Sequence, residues 1–333
     1  SAAQHAELGE ALWVRLQNAD DEDGEEDSVT VQAAWIAADL RHSHLVEGHL
    51  LKPGLTCAVL VSSNSQAARI TEALRKHGIE AITPDDANTP AMLERLRALQ
   101  PDFIFSFYYR NMLTQAVLDT AKRGALNMHG SLLPKYRGRV PINWAVINGE
   151  SETGATLHYM TAKPDAGDIV GQQAVSIGAD ETAAVVFRKV TAAAAQTLDR
   201  HLPGLVAGNA PRIVQDLKAG AYFGGRKPAD GRIDWTLPAT RVHNLVRGVA
   251  PPYPGAFTAL PGGTLKVFRS QLAEPPANAA LPRPSLSVRD GHCIAVCKDG
   301  SALRLLEIEF EGKPFTAQDF LSRFGDNPVS LET

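Results

Sequence analysis

Between Leu55 and Leu205, apolar runs of strand length alternate with stretches whose apolar residues recur at helical spacing. That alternation restricts the fold more than any other feature of the chain. LTCAVLVSS has the continuous apolar character of a buried strand. NSQAARITEALRKHG reads as an amphipathic helix closed by Gly78, and IEAIT predicts a second strand. TPAMLERLRALQ predicts a helix and PDFIFSFYY a third strand. Then come ALNMHG, the helix-like PINWAVING, the strand ATLHYM and the helix ETAAVVFRKVTAAAAQTLDRHL, expected to end near Pro203. Strands separated by helices can lie parallel, because the helix carries the chain back across the sheet. The expected fold class is therefore α/β, with a doubly wound, Rossmann-like parallel sheet over residues 51–204.

After about Leu205 glycine and proline become frequent, and short strand candidates follow at GAFTAL, TLKVF, CIAVCK and ALRLLEIEF. They predict a smaller, separate, mostly β domain over residues 205–333. Residues 1–50 form an atypical N-terminal segment. Its acidic block DDEDGEED, Asp20 to Asp27, repels itself and predicts a solvated loop. EALWVRLQ and VQAAWIAADLRH on either side carry apolar residues at helical spacing. The absence of methionine before Ser1 suggests a processed or trimmed terminus.

Composition excludes several classes. A net charge of −4 provides no dominating basic field for nucleic acid. From Leu205 onward fifteen Lys and Arg face twelve Asp and Glu, only slightly positive. Three cysteines, Cys57, Cys293 and Cys297, cannot make a disulfide framework, which points to a reducing cytoplasm. No apolar run has the length of a membrane span and no signal peptide opens the chain, so membrane insertion is not expected. No Walker A pattern occurs, which argues against an ATP motor, and no G-x-G-x-x-G follows a strand, which argues against a nicotinamide site. His42, His44 and His49 lack the cysteines or paired carboxylates of a metal centre, so no metal is expected. Cys293 and Cys297 read as core residues. Oligomeric state has no signature in the sequence.

The chemistry concentrates in ALNMHGSLLPKYRGRVPINWAVINGESETGATLHYMTAKPDAG, residues 125–167. Asn127 and His129 stand two residues apart, and Asp165 follows the histidine by thirty-six. The three side-chain types suit acyl transfer: an amide to hold a developing oxyanion, an imidazole to move protons, and a carboxylate to orient the imidazole. An imidazole titrates near ~6.5, close to working pH. Lys135, Arg137 and Arg139 add three cations to a loop shaped by glycine and proline.

NMHGSLLPKYRG, PINW and the D-A-G after TLHYM resemble the formyltransferases that use 10-formyltetrahydrofolate. The resemblance is strongest to the members acting on UDP-4-amino-4-deoxy-L-arabinose, an activity of lipid A modification and polymyxin resistance. FSFYYRNML, PKYRGRVPINW and PYPGAF match the sugar enzymes better than the tRNA enzymes. The resemblance implies catalytic roles for His129, Asn127 and Asp165, with Asp165 raising the pKa of His129. It implies a folate site formed by Asn111, Met112, Leu113 and Arg139 with the segment Thr161, Ala162, Lys163, Pro164 and Asp165. For Met112 and Leu113 a core role is a competing reading of the residues. It also implies a C-terminal barrel related to the oligonucleotide-binding fold, closed by a segment like EGKPFTAQDFLSRF.

By motif the resemblance begins near Gly78. The family's opening strand and glycine loop have no counterpart upstream, where residues 1–77 look weakly like part of a UvrD-type helicase. The expected partners are therefore small molecules, a UDP-linked amino sugar and a folate, without nucleic acid. Methionyl-tRNA formylation, hydrolysis of the formyl donor, and a non-catalytic folate- or nucleotide-binding protein stay open as alternatives.

Overall fold

A computed structural model describes residues 86–107, 109, 111–275 and 284–331. The expected strands LTCAVLVSS and IEAIT, the helix between them, the acidic block, Cys57 and the histidines His42, His44 and His49 lie outside the described residues. The chain divides into two compact units. The first takes the described residues up to Arg137, then 154–174 and 190–221; the second takes 138–153, 175–189 and the described residues from Tyr222 onward.

Helix α1 (Pro90–Leu99) starts where the Thr89 hydroxyl accepts from the Met92 amide and where proline occupies the first turn. Strand β1 (Phe103–Phe107), the short helix α2 (Gln115–Leu118) and strand β2 (Gly124–His129) follow. Leu113, Val117, Leu118 and Ala125 form a buried cluster, against which Leu93, Leu96 and Ile104 pack. The two strands run parallel, from Phe103 opposite Gly124 to Phe107 opposite Met128. After β3 (Arg137–Gly138) and helix α3 (Pro141–Asn148) come β4 (Glu152–Tyr159) and β5 (Ile169–Ser176). The sheet order is β1-β2-β4-β5.

The fold is mixed α/β as expected, with one correction to the sheet. β4 lies antiparallel to β2, pairing Leu126 with Tyr159 and His129 with Thr156. A parallel return needs a crossover helix packed on the same sheet, whereas the helix between these strands, α3, belongs to the second unit. A second correction concerns helix α4 (Ala183–Ala207), which continues through Pro203 instead of ending there. Leu202 and Leu205, both buried, anchor it on either side of the proline, and it stops before Gly208 at φ +78°. Burial outweighs the one lost backbone hydrogen bond.

In the second unit, the short strand β6 (Tyr222–Phe223) precedes helix α5 (Ala239–Gly248). The sequence reading had no helix there. Ala239, Val242, His243 and Val246 recur at helical spacing on its buried face. α3 packs on it, with Asn143 Nδ2 donating to the Gly248 carbonyl at 2.8 Å. Strands β7 (Ala256–Leu260), β8 (Gly263–Ala273), β9 (Ser285–Arg289), β10 (His292–Val296), β11 (Ala302–Phe310) and β12 (Lys313–Pro314) come next. Helix α6 (Ala317–Phe324) and strand β13 (Val329–Ser330) complete the described chain. The sheet is antiparallel, in the order β13-β9-β10-β11-β8-β7 with β12 on β11. Trp235, Leu265, Leu286, Leu303 and Phe320 are fully buried in its core, which Ile147 of α3 joins. Trp235 Nε1 donates to Thr258 Oγ1 at 2.9 Å, so even the indole's one polar atom is satisfied.

Candidate active site

Alternation along β2 sets Asn127 and His129 on one face of the sheet. The register with β4 places His158 directly opposite Asn127 and Thr156 opposite His129. Side chains opposite one another share a face, so a second histidine enters the site. Asp165 arrives from the turn after β4. The Tyr159 amide donates to the Asp168 carbonyl at 2.9 Å and the Met160 amide to the Ala125 carbonyl at 2.7 Å, closing that turn onto the sheet. Gln215 Nε2 reaches in from the segment after α4 and donates to the carbonyls of Asp165 and Gly167. Asp165 itself has φ +50°, in the left-handed region. The glycine of D-A-G is dictated by close approach: a Cβ on Gly167 would lie 2.1 Å from the Tyr159 carbonyl oxygen.

His129 is 6% exposed. Its Nε2 lies 2.8 Å from the Tyr136 carbonyl, which can only accept, so Nε2 carries a proton. Nδ1 faces Asp165 Oδ1 at 3.5 Å. In the neutral ring that nitrogen holds a lone pair beside a carboxylate; once protonated it forms a buried ion pair. Burial lowers the His129 pKa, while Asp165 and the Tyr136 carbonyl pull it up and His158 pushes it down. The upward pull expected of Asp165 is present, but burial outweighs it and the net direction is down. The result is a ring biased towards its neutral form, with a carboxylate 3.5 Å from the nitrogen that would gain the proton.

The loop carrying Tyr136 is held by polar contacts to the sheet. Thr156 Oγ1 donates to the Ser131 carbonyl at 2.6 Å and accepts from the Leu133 amide at 3.1 Å. Ser131 Oγ donates to the Lys135 carbonyl at 2.6 Å, and Gln172 Nε2 donates to the Leu133 carbonyl at 2.9 Å. Tyr136 takes φ +56°, the turn that aims its carbonyl at His129. Arg137 is buried, donating through Nη2 to the Leu217 carbonyl at 3.3 Å.

Asn127, His129 and Asp165 thus converge, joined through His158. Thr161, Ala162, Lys163 and Pro164 form the turn that carries Asp165; the first three are exposed, and Thr161 Oγ1 donates to the Lys163 carbonyl at 3.0 Å. Asn111 and Met112 are exposed between β1 and α2. Leu113 is buried in the apolar cluster beneath them, which is the core role. Arg139 falls in the second unit, exposed, with its amide donating to the Phe223 carbonyl at 2.9 Å. A cavity of about 520 Å³ in the first unit is lined by Gly124, Arg123, Thr161 and Gly167 but by none of the catalytic candidates. It opens at the start of β2, whereas Asn127 and His129 stand at the strand's other end.

His158 and Gln215 were missed by the sequence reading. The strand TLHYM held the signal for His158, a polar residue in an apolar run, but only the antiparallel register shows what it meets. Among the described residues no group of three or more His, Cys, Asp or Glu side chains is placed to hold a metal. The Cys293 and Cys297 thiols are pushed up by burial to about 11 and about 12, as suits core residues. No helix among the described residues is long and apolar enough to cross a membrane.

Two family profiles match the chain, Formyl transferase over residues 52–202 and Formyl transferase, C-terminal domain, over 226–325. The chain belongs to the formyl transferase family, and it is a formyltransferase enzyme. The first match starts upstream of Gly78, which corrects the expected start of the resemblance: residues 52–77 fall within the formyl transferase profile.

Among solved structures the chain is similar to an N-formyltransferase from Helicobacter canadensis in complex with folinic acid and dTDP-3-aminofucose. That likeness has 18% identity over 73% of this chain and 82% of that one, with a TM-score of 0.55. WlaRD, a sugar 3N-formyl transferase crystallised with dTDP and 5-N-formyl-THF, also has 18% identity and a TM-score of 0.55, covering 73% and 81%. HypX from Aquifex aeolicus in complex with tetrahydrofolic acid shows 20% identity over 75% of this chain, a TM-score of 0.53, and 44% of its own length covered. These identities establish a shared fold.

Proposed function

We propose that this formyltransferase moves the formyl group of 10-formyltetrahydrofolate to the amine of a nucleotide-linked amino sugar, with UDP-4-amino-4-deoxy-L-arabinose as the acceptor. The observation carrying the reading is the convergence of Asn127, His129 and Asp165 on one buried face. The solved neighbours add support, since two of them are sugar formyltransferases bound to a formylated folate and a dTDP ligand.

The neutral acceptor amine attacks the formyl carbon, forming the new C–N bond and a tetrahedral oxyanion. The Asn127 amide donates to that oxyanion. His129 Nδ1 takes the proton released by the amine, and the imidazolium so formed sits 3.5 Å from Asp165 Oδ1. Cleavage of the bond to the folate N10 then returns the proton to that nitrogen, giving tetrahydrofolate and a formamide. Asn111, Met112 and the turn Thr161–Asp165 are the proposed folate contacts, carried by motif.

The test is turnover with 10-formyltetrahydrofolate against UDP- and dTDP-linked amino sugars, methionyl-tRNA, and water alone. Tetrahydrofolate release together with a formamide product on the UDP-linked sugar is expected. Formyl-methionyl-tRNA as the preferred product, or release of formate without any acceptor, would overturn the reading.

A further inference from the structure

We infer that His158 is a positioning residue for formyl transfer, accepting a hydrogen bond at Nε2 from the Asn127 amide and thereby keeping the amide nitrogen, rather than its oxygen, at the reacting centre. This rests on the formyl-transfer reading above.

The β2–β4 register sets the two residues directly opposite, and His158 is 1% exposed, so no bulk water competes for its ring. Nδ1 lies 2.8 Å from the Tyr159 carbonyl. A carbonyl only accepts, so Nδ1 carries the hydrogen and Nε2 of the neutral ring presents a lone pair. Among the described residues two polar atoms face that lone pair: Asn127 Nδ2 at 3.2 Å and Asp165 Oδ1 at 3.5 Å. The carboxylate has no hydrogen to give, so the donor is the amide NH2. Its second N–H is left for the oxyanion.

The torsion that swaps the two ends of an asparagine amide is soft and roughly two-fold. Without an acceptor opposite, the amide can turn and present its oxygen to a developing negative charge, which repels it. The backbone carbonyl of Tyr159 thus decides, through the tautomer of His158, which end of Asn127 meets the substrate. His129 and His158 meet edge to face, with ring centroids 6.5 Å apart, so the second ring does not stack on the base.

Two substitutions separate positioning from packing. His158→Asn keeps a polar group at the Nδ1 position, within reach of the Tyr159 carbonyl, but removes the acceptor at Nε2. His158→Gln restores an acceptor at that reach. In His158→Asn, kcat should fall on the order of 10- to 100-fold, as expected for a misdirected oxyanion donor, with KM for donor and acceptor little changed. His158→Gln should recover most of the loss. In an Asn127→Ala background, His158→Asn should add little, because the residue it positions is gone.

Equal losses in both variants, or losses that multiply with Asn127→Ala, overturn the proposal. Nitrogen-15 NMR of the wild-type imidazoles reads it independently of turnover and of how the variants fold. A His158 ring protonated at Nδ1 only supports it, and a ring protonated at Nε2 overturns it. A wild-type chain without formyl transfer would overturn the functional reading alone, and the spectrum would still decide the role of His158.

Discussion

At the residue scale, the proposed reaction rests on the protonation of His129. His129→Ala should abolish formyl transfer while the circular-dichroism spectrum stays that of the parent, and a variant keeping more than about a tenth of the turnover would remove His129 from the mechanism. Asn127→Ala should lower kcat by on the order of 10²–10³ with KM unchanged, because the oxyanion exists only along the reaction path. An effect confined to KM would make Asn127 a ground-state contact. Asp165 raises the His129 pKa against the larger lowering by burial. In Asp165→Asn burial acts less opposed, the pKa falls further, and the acid limb of the kcat/KM profile should move to lower pH. Turnover should also drop above that limb, where the ring is neutral in both proteins, because the imidazolium formed during reaction loses the carboxylate facing it. A pH–rate profile of both proteins, with the ionisation of the acceptor amine controlled, reads both effects, and an unmoved limb would give Asp165 a role in the turn alone.

At the scale of elements, the turn after β4 delivers the carboxylate, and Gly167 is its tightest point. Gly167→Ala would drive a methyl group to 2.1 Å from the Tyr159 carbonyl. The expected cost is about 2 kcal/mol of stability, as for other overpacked sites, together with a loss of turnover as Asp165 shifts. Thermal unfolding and steady-state rates check both, and an unchanged melting temperature would mean that the turn yields freely. Much of this architecture was legible in the sequence. α1, β1, β2, α3 and β4 lie where local periodicity put them, because each buries one face. What periodicity leaves open is pairing. Nothing in TLHYM says that β4 runs antiparallel to β2, and without that register His158 has no visible partner. Asn127, His129 and Asp165 were legible through their motifs, whereas Gln215 was not, because its contact with the Asp165 carbonyl spans fifty residues. Pro203 misled for the opposite reason: a strong local signal yielded to buried leucines on either side.

At the scale of the whole molecule, the two units do not follow a single cut in the chain. A division at residue 205 gives the second unit all of its antiparallel sheet but strips it of α3, whose Ile147 belongs to the same core as Trp235 and Phe320. A fragment of residues 205–333 should therefore melt at lower temperature than the same unit in the full chain, or expose apolar surface and self-associate. A cooperative transition at the parental temperature would show that α3 is dispensable. The interleaving also orders events during synthesis. A ribosome releases Ile147 on the order of ten seconds before Phe320, at the usual pace of elongation. Through that interval the apolar helix PINWAVIN has been made and its sheet has not. The enzyme's second unit is thus assembled only once Phe320 has been made, and until then the nascent helix waits without the sheet that will cover it.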